Sequence, residues 1–334
     1  MDVAAIVVNY RTAEESVHAV NALLAELGGD ARVVLLDNDS RDGSFERLIA
    51  GAREQGWGAR VVLMQSGYNG GYGYGINVAI QEALSWPQRP RYLYVINPDA
   101  KPLPGSVQKL VQFMDAHPEA GVAGSTVHND NGSFVSAFRF PSVLGEFEGN
   151  INLGVVSKLL QEHQVPLAPP GRDLTVDWVP GTSMLIRAEV LATAGGFDED
   201  FFLYYEEIDF CRRVINAGWK VYFVEGAGVS HIGSLATGMA DRTRRMPSYW
   251  FAARRRYFVK HHGRLYAAAA DAAWFTGHLI RKAADRMLSR EPSTRPHLAR
   301  DFARYALRHV TAPAPRSAAP HPKPASVSAQ VASL

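Results

Sequence analysis

The sequence predicts an α/β fold with an open, mostly parallel sheet flanked by helices. Short apolar runs alternate with helical patterns from the first residues onward, as in sheets whose parallel strands are joined by helices. Several of these runs are followed directly by polar residues, and ligands of such sheets bind beyond the carboxyl ends of the strands. We therefore expect the binding site at one edge of the sheet.

Strands and helices alternate along the chain. Apolar runs predict four buried strands in the first hundred residues, at Ala4–Asn9, Val33–Leu36, Arg60–Met64 and Tyr92–Ile96. Helical spacing predicts the connecting helices, at Glu14–Leu27, Phe45–Ala52 and from Ile76 to Leu84. The later elements are predicted at Val107–His117 (helix), Val122–Val127 (strand), Tyr205–Ala217 (helix) and Val221–Val224 (strand). Residues 128–175 show no clear pattern, and a long basic helical region begins at Pro247.

The composition excludes several classes of protein. Of the 334 residues, 47% are hydrophobic and 20% are charged, which excludes a mainly disordered or collagen-like chain. Cys211 is the only cysteine, so an internal disulfide is excluded and a reducing, cytoplasmic compartment is expected. The sequence shows neither an N-terminal targeting leader nor an uninterrupted apolar stretch of about 18 residues, so neither secretion nor a membrane span is expected.

The charges divide the chain into two parts. Residues 1–240 contain 17 basic and 28 acidic residues, a net charge of −11, whereas residues 241–309 contain 16 basic and 5 acidic residues, a net charge of +11. We expect the acidic part to bind a metal or to perform acid–base chemistry, and the basic part to meet an anionic surface. Residues 312–334 are rich in Ala, Pro and Ser and are predicted to be a disordered tail.

Two polar segments after predicted strands could bind a nucleotide. Asp37 follows the second strand, where a carboxylate can accept the imide N–H of a pyrimidine base or bind a ribose; an Asx turn is the alternative. The segment Asn69–Asn77 is rich in glycine, which allows backbone N–H groups to approach a phosphate. Its spacing matches neither a dinucleotide fingerprint nor a Walker loop, and a glycine-rich turn without a ligand is the alternative.

Three further segments carry groups suited to metal binding or catalysis. Asp99 follows the fourth strand and could bind a divalent metal that bridges two phosphates, although an Asp beside a proline is often only a turn residue. His231 is either a metal ligand or a structural residue. Crowding of Glu206, Glu207 and Asp209 can raise one pKa and produce a general base. The alternative is a helix N-terminus that favours negative charge.

Taken together, these segments resemble glycosyltransferase family 2, in particular its rhamnosyltransferase-like branch of bacterial cell-surface polysaccharide enzymes. The resemblance extends from residue 3 to about residue 262. It is carried by Val7–Tyr10, Leu36–Ser44, Asn69–Gly73, Asn97–Asp99, Trp178–Gly181, Gly196–Glu199, Tyr205–Asp209 and His231 with Gly233 and Ser234. It implies a GT-A catalytic domain at 1–240, with a nucleotide-sugar half at about 1–100 and an acceptor half at 101–240, followed by a basic helical extension at 241–311.

The resemblance also implies how the donor and a metal would bind. Asp37 would contact the pyrimidine base of a dTDP- or UDP-sugar. The other residues expected at the nucleotide diphosphate are Asn9, Tyr10, Asn69, Gly70, Gly71, Asn77, Asn97 and Asp99. Asp99 and His231 would hold Mg²⁺ or Mn²⁺. Asn97 replaces the first Asp of the family's Asp-x-Asp element, which leaves one anionic ligand fewer.

The implied reaction is a single displacement that inverts the anomeric carbon. Glu207, with Glu206 as the rival assignment, would take the proton of an acceptor hydroxyl as that oxygen attacks the sugar. Trp178 and Gly181 would contact the acceptor, with packing of Trp178 in the core as an alternative. We expect rhamnose from dTDP-rhamnose as the sugar, and a saccharide or polyprenyl-diphosphate-linked acceptor. A non-catalytic nucleotide-sugar-binding scaffold is the alternative function.

The basic extension interleaves cationic and aromatic residues. Its cations are Arg242, Arg244, Arg245, Arg254, Arg255, Arg256, Lys260 and Arg264. Such patterns occur in nucleic-acid-binding proteins and in helices that lie at a membrane interface. The resemblance favours an anionic membrane surface at the inner face of the cell membrane, so no nucleic acid is expected. Packing of the extension on the catalytic domain is the alternative.

Overall fold

The computed structural model describes residues 2–309, except positions 30, 131, 133, 136, 168–170, 234–238, 240 and 291–294. The predicted tail at 312–334 lies outside the described residues, as does Ser234. The strands are β1 (Val3–Asn9), β2 (Arg32–Asp37), β3 (Val61–Gln65), β4 (Tyr92–Ile96), β5 (Ala100–Pro102), β6 (Ala120–Asn129), β7 (Phe134–Val135), β8 (Leu174–Thr175), β9 (Ser183–Arg187) and β10 (Lys220–His231). The helices are α1 (Ala13–Leu27), α2 (Ser44–Glu54), α3 (Tyr72–Ser85), α4 (Ser106–Ala116), α5 (Val143–Ile151), α6 (Gly154–Leu159), α7 (Val190–Ala194), α8 (Glu206–Asn216), α9 (Ser248–Met287) and α10 (Leu298–His309).

The strands form one sheet in the order β3-β2-β1-β4-β9-β6-β10-β5, with β7 beside β6 and β8 beside β10. The predicted parallel arrangement is confirmed from β3 to β4. Beyond β4 the sheet is mixed, which corrects the expectation of a mostly parallel sheet. The reason is that β9 enters at the edge where β4 ends, with Ser183 opposite Ile96, so it must run antiparallel to β4.

Helices cover both faces of the sheet, which explains why β1 is buried along its whole length. Side chains of successive strand residues point to opposite faces. Ile6 and Val8 thus pack in one core with Ile76 of α3, whereas Val7 packs in a second core with Leu23 of α1. A strand that is covered on both faces of the sheet needs apolar residues at nearly every position. The buried strands were predicted from this pattern.

Residues 128–175, for which the sequence shows no clear pattern, contain α5 and α6. The hydroxyl oxygen of Ser142 accepts a hydrogen bond from the backbone N–H of Gly145 at 3.1 Å and so caps α5. Helix α5 packs closely on α9 at Gly277. A Cβ atom at this position would lie 2.6 Å from the carbonyl oxygen of Phe147. This close approach depends on a glycine in the middle of α9.

The helical C-terminal region continues the core of the sheet. Tyr257 and Phe258 of α9 are fully buried and belong to the core that covers α3 and α8. The division into domains at residue 240 stays a prediction. Helix α9 bends at Gly263, whose φ of 83° lies outside the helical range. Within the described residues, no helix is both long and apolar enough to cross a bilayer.

We expect Arg254→Met to lower the free energy of unfolding by about 3–5 kcal/mol, as removal of one partner of a buried ion pair does. Arg254 is 1% exposed and donates to the carboxylates of Glu146 at 3.1 Å and Asp271 at 2.5 Å. Urea denaturation measures the change. Arg264→Met, at an exposed position of α9, is the matched control and should change stability by about 0.5 kcal/mol or less. Equal effects of both substitutions would contradict this account.

Candidate active site

A cleft of about 460 Å³ opens at the carboxyl ends of β1, β2 and β4, as the sequence predicts. Its wall combines residues from the first half of the chain with residues from α8 and α9. The lining residues are Val8, Tyr10, Asn38, Asn69, Gly71, Tyr72, Asn97, Pro98, Asp99, Gly181, Thr182, Phe202, Leu203, Tyr204, Glu206, Glu207, His231 and Tyr249. Nine of the predicted site residues therefore meet here: Tyr10, Asn69, Gly71, Asn97, Asp99, Gly181, Glu206, Glu207 and His231.

The glycine-rich segment joins the two halves of the cleft. Gly71 has a φ of 95°, and a Cβ atom there would lie 1.9 Å from the carbonyl oxygen of Phe202. The next residue, Tyr72, donates its backbone N–H to the same carbonyl oxygen at 3.0 Å. Asn38 holds the segment from the other side, because its side-chain amide donates to the carbonyl oxygen of Gly71 at 2.9 Å. The sequence alone did not identify Asn38 as a site residue.

Asn9 and Asp37 lie beneath the cleft and do not line it. Both are at most 1% exposed, and the side-chain amide of Asn9 donates to Asp37 Oδ1 at 2.7 Å. The backbone N–H of Ser40 donates to Asp37 Oδ2 at 3.2 Å, which is the Asx-turn alternative. Asn9 Oδ1 accepts from Thr12 and Ser16. Asn9 and Asp37 thus link the ends of β1 and β2 by hydrogen bonds. In this arrangement the Asp37 carboxylate does not face the cleft and cannot contact a base there.

Three other predicted site residues also lie away from the cleft. Gly70 is buried beside Tyr74, and Asn77 exchanges hydrogen bonds with the backbone of Phe197 at 2.8 Å. Trp178 is 8% exposed and stacks on Phe138 with ring centroids 4.0 Å apart. Its indole N–H is already donated to a backbone carbonyl, so Trp178 takes the core alternative instead of contacting an acceptor.

Asp99 and His231 form the part of the cleft that fits a metal ion. Asp99 Oδ1 lies 3.2 Å from His231 Nε2, a separation that suits two neighbouring ligands of one octahedral ion. The other ring nitrogen of His231 lies 3.2 Å from Asn129 Oδ1, the kind of outer contact that orients metal-binding histidines. No group of three or more His, Cys, Asp or Glu side chains suited to a metal occurs in the described part of the chain. Oxygens of a bound diphosphate would complete the coordination.

Asn97 is held in place by a residue that the sequence analysis did not select. The hydroxyl of Tyr72 donates to Asn97 Oδ1 at 2.8 Å, and the side-chain amide of Asn97 points to Thr182 and His231. Burial and the charges of Glu206 and Glu207 raise the pKa of Tyr72 well above its usual value, so Tyr72 keeps its proton. Tyr72 opens α3 directly after the glycine-rich segment, which is the signal that could have identified it.

Glu206 and Glu207 begin α8 and face the cleft. Burial raises the pKa of Glu207 to about 7, although backbone N–H groups of Glu207 and Ile208 stabilise its charged form. Burial and the charge of Glu207 raise the pKa of Glu206 well above its usual range. One buried oxygen of each carboxyl group has no hydrogen-bond partner in the described structure. Tyr204 and Tyr205, just before α8, both have positive φ values, 71° and 69°.

Asp209 has a different environment. Arg213, Lys260 and His261 lie 2.8, 2.6 and 2.8 Å from its carboxylate. Although burial opposes ionisation, the hydrogen bond from His261 and the charge of Arg213 hold the pKa of Asp209 far below its usual value. Asp209 is therefore a permanent anion that anchors α8 to α9 and is unsuited to accept a proton.

The central cations of the basic extension are used within the protein. Arg256 and Lys260 bind Asp198 at 2.9 and 2.6 Å, and Arg254 and Arg255 pair with Asp271. Arg254, Arg255 and Arg256 are largely covered as well as paired, so these three residues take the packing alternative. Lys260 is paired but stays exposed.

Comparison with solved structures identifies the class of protein. A mannosyltransferase from Pyrobaculum calidifontis, in complex with GDP-Man and Mn²⁺, matches 93% of this chain and 81% of its own, with a TM-score of 0.55 at 15% identity. A structure of GalNAc-T7 with UDP, GalNAc and Mn²⁺ matches 94% of this chain and 58% of its own, with a TM-score of 0.52 at 13% identity. The fold is thus that of the GT-A glycosyltransferases, as the resemblance implied.

Sequence comparison narrows the class to a family. The family model "Glycosyl transferase family 2" matches residues 4–157, and "Glycosyl transferase family group 2" matches residues 92–284. The chain belongs to glycosyltransferase family 2. It is 30% identical over 221 residues to N-acetylglucosaminyl-diphospho-decaprenol L-rhamnosyltransferase of Mycobacterium tuberculosis, covering 62% of this chain and 68% of that protein. It is 27% identical over 168 residues to rhamnosyltransferase WbbL of Escherichia coli, covering 48% and 61%.

We expect the stability of Glu206→Gln relative to the wild type to increase as pH rises. The folded pKa of Glu206 is raised, so above about pH 4.5 the folded state holds more protons than the unfolded state, and stability is lost with rising pH. The glutamine variant lacks this loss. Thermal unfolding of both proteins between about pH 5 and pH 8 measures the difference. Glu54→Gln, at an exposed position of α2, is the control, and a Glu206 effect equal at all pH values would contradict the expectation.

Proposed function

We propose that the protein is a metal-dependent, inverting glycosyltransferase that moves rhamnose from dTDP-rhamnose to a hydroxyl of a polyprenyl-diphosphate-linked saccharide. The observation that carries the proposal is a carboxyl group with a pKa of about 7, on Glu207, in the same cleft as the Asp99–His231 pair. The rhamnosyltransferase relatives support the sugar, and the diphospho-decaprenol in the name of the mycobacterial relative supports the lipid-linked acceptor.

The donor is proposed to lie along the edge formed by β1, β2 and β4. Tyr10, Asn69 and Gly71 line this side of the cleft, and Gly71 directly precedes α3. The positive end of a helix dipole, at its N-terminus, favours a phosphate. Asn38 is proposed to take the place that was expected for Asp37, because Asn38 lines the cleft and Asp37 does not.

Asp99 and His231 are proposed to hold Mn²⁺ or Mg²⁺. Such an ion supplies positive charge that stabilises a departing nucleoside diphosphate. The Mn²⁺ present in two structural neighbours supports a divalent ion. Asn97 contributes a neutral side chain that Tyr72 orients, so the protein supplies fewer negative charges to the ion than an Asp-x-Asp element would.

Glu207 is proposed as the general base. Near neutral pH about half of its carboxyl groups are ionised, which is the condition under which a base works best. The acceptor hydroxyl gives its proton to Glu207 while its oxygen forms a bond to the anomeric carbon, and the bond from that carbon to the diphosphate oxygen breaks. Attack from the side opposite the leaving group inverts the configuration. Burial and the negative charge of Glu207 raise the pKa of Glu206, so ionisation of Glu207 favours the protonated form of Glu206.

An aromatic surface beside Glu207 is proposed to bind the acceptor. Phe202 and Tyr204 line the cleft together with Tyr249 of α9. The ring centroids of Tyr204 and Tyr249 lie 6.2 Å apart in a stacked arrangement, and those of Phe202 and Tyr249 lie 5.7 Å apart. Such a surface suits the apolar face of a sugar ring, the role that had been expected of Trp178.

We expect Glu207→Gln to lower the transfer rate by about 10²–10⁴-fold while donor binding is kept, because only the general base is lost. In the wild type, kcat/KM should fall about tenfold for each pH unit below about 7, as Glu207 becomes protonated. Rate measurements with dTDP-rhamnose and a polyprenyl-diphosphate-linked GlcNAc acceptor test both statements. If Glu206→Gln abolishes the rate and Glu207→Gln does not, the rival assignment is correct.

We expect Mn²⁺ to strengthen binding of dTDP-rhamnose, and Asp99→Asn to remove this effect. A donor at a hundred times its Kd should stabilise the protein by about 2.7 kcal/mol, which thermal unfolding detects. Asn97→Asp, which adds an anionic ligand, should increase the affinity for Mn²⁺. Equal donor shifts with and without metal would contradict the metal site. Normal donor binding without turnover on any acceptor would favour the scaffold alternative.

A further inference from the structure

The second half of α9, residues 264–287, exposes a long and mainly apolar face that is bordered by cations. Helical spacing places on this face Leu265, Ala268, Ala269, Ala272, Thr276, Leu279, Ile280, Ala283 and Met287. Leu265 is 90% exposed, Met287 is 85% exposed and Leu279 is 58% exposed. At 1.5 Å per residue the face is about 33 Å long. Contiguous apolar surface of this extent marks an interaction site; we call it the α9 face.

The exposed charges around the α9 face have a single sign. Within the described residues 264–290 and 295–309, the acidic residues are Asp271, Asp285 and Asp301, whose side chains are at most 12% exposed and pair with arginines. The exposed charged residues are Arg264, Lys282, Arg286, Arg290, Arg300, Arg304 and Arg308. The surface that carries the α9 face is therefore cationic, and its complement is anionic.

Exposed apolar side chains also occur on two helices close to α9. Arg281 donates to the carbonyl oxygen of Asn152 at 2.7 Å and so ties the loop before α6 to α9. Helix α6 presents Val155 and Leu159, which are 77% and 79% exposed. On the other neighbour, α10, Leu307 is 77% exposed beside its row of arginines. Exposed apolar side chains thus occur on all three helices.

The aromatic residues of this region point inward. Trp274 packs against Phe302 with ring centroids 4.3 Å apart and is 3% exposed. The binding energy of protein–protein interfaces is concentrated in exposed Trp, Tyr and Arg anchors that fill pockets of the partner. The α9 face instead offers flat Leu, Ala and Met with cations at its margins, which is the pattern of a helix that lies in a lipid interface.

We propose that the α9 face docks in the plane of an anionic lipid bilayer, with α10 beside it. The apolar side chains enter the boundary between headgroups and acyl chains, and the cations contact lipid phosphates. The proposed docking does not depend on the proposed reaction. It would nevertheless position the cleft relative to the membrane surface, because Tyr249 near the start of α9 lines the cleft.

Flotation of the full chain with vesicles tests the proposal. We expect binding to vesicles that contain phosphatidylglycerol and weak binding to phosphatidylcholine alone. Lys282→Glu with Arg286→Glu should weaken binding to the anionic vesicles by about 30-fold or more, because each cation near such a surface contributes about fivefold. The matched control is Arg53→Glu with Arg89→Glu, which reverses two exposed cations elsewhere and should keep most of the binding.

A second variant, Leu265→Glu with Leu279→Glu, tests the apolar part of the contact. It should lose vesicle binding while circular dichroism and donor-induced thermal shifts stay unchanged, since both positions are exposed. Equal binding to neutral and anionic vesicles, equal losses in the two charge-reversal variants, or no binding to either vesicle would overturn the proposal. Self-association in solution that disappears in the leucine variant would also overturn it, in favour of a second copy of this chain. None of these results depends on catalytic turnover.

Discussion

The contact between Gly71 and Phe202 determines the shape of the candidate active site. The backbone N–H of Tyr72 binds the Phe202 carbonyl oxygen, and the positive φ and missing side chain of Gly71 allow the two segments to touch. This contact places the start of α3 against the segment that leads into α8. Glu207 at the start of α8 therefore faces the same space as Asp99 at the end of β4. The contact thus brings the proposed general base and the proposed metal ligand to one cleft.

The three carboxyl groups near the start of α8 have different pKa values because their neighbouring side chains differ. Asp209 is surrounded by three basic side chains, so it stays ionised and anchors the helix. Glu206 and Glu207 have no cation among the contacts described, and burial raises their pKa values. Three acids within four positions thus have two different roles, which follow from the partners that tertiary packing brings to each.

The opposed charges of the two parts of the chain have two explanations in the structure. Part of the basic charge neutralises acids of residues 1–240, as Arg256 and Lys260 do with Asp198. These pairs hold α9 against the segment before α8. Exposed cations of the second half of α9 border the α9 face. The sequence reveals the charge asymmetry but cannot distinguish cations with internal partners from cations directed to solvent.

The sequence by itself determined the order of strands and helices from β1 to β4, the sheet edge that carries the cleft, and the candidates Asp99, Glu207 and His231. These follow from local patterns, because burial on both faces requires continuous apolar strands and the parallel strands end at one edge. Tertiary structure decided that β9 runs antiparallel and that Asp37 and Trp178 are covered. It also added Tyr72, Asn38 and Tyr249 to the cleft. These outcomes depend on contacts between residues distant in sequence, such as the pairing of Arg254 with Glu146 across 108 positions, which no local pattern encodes.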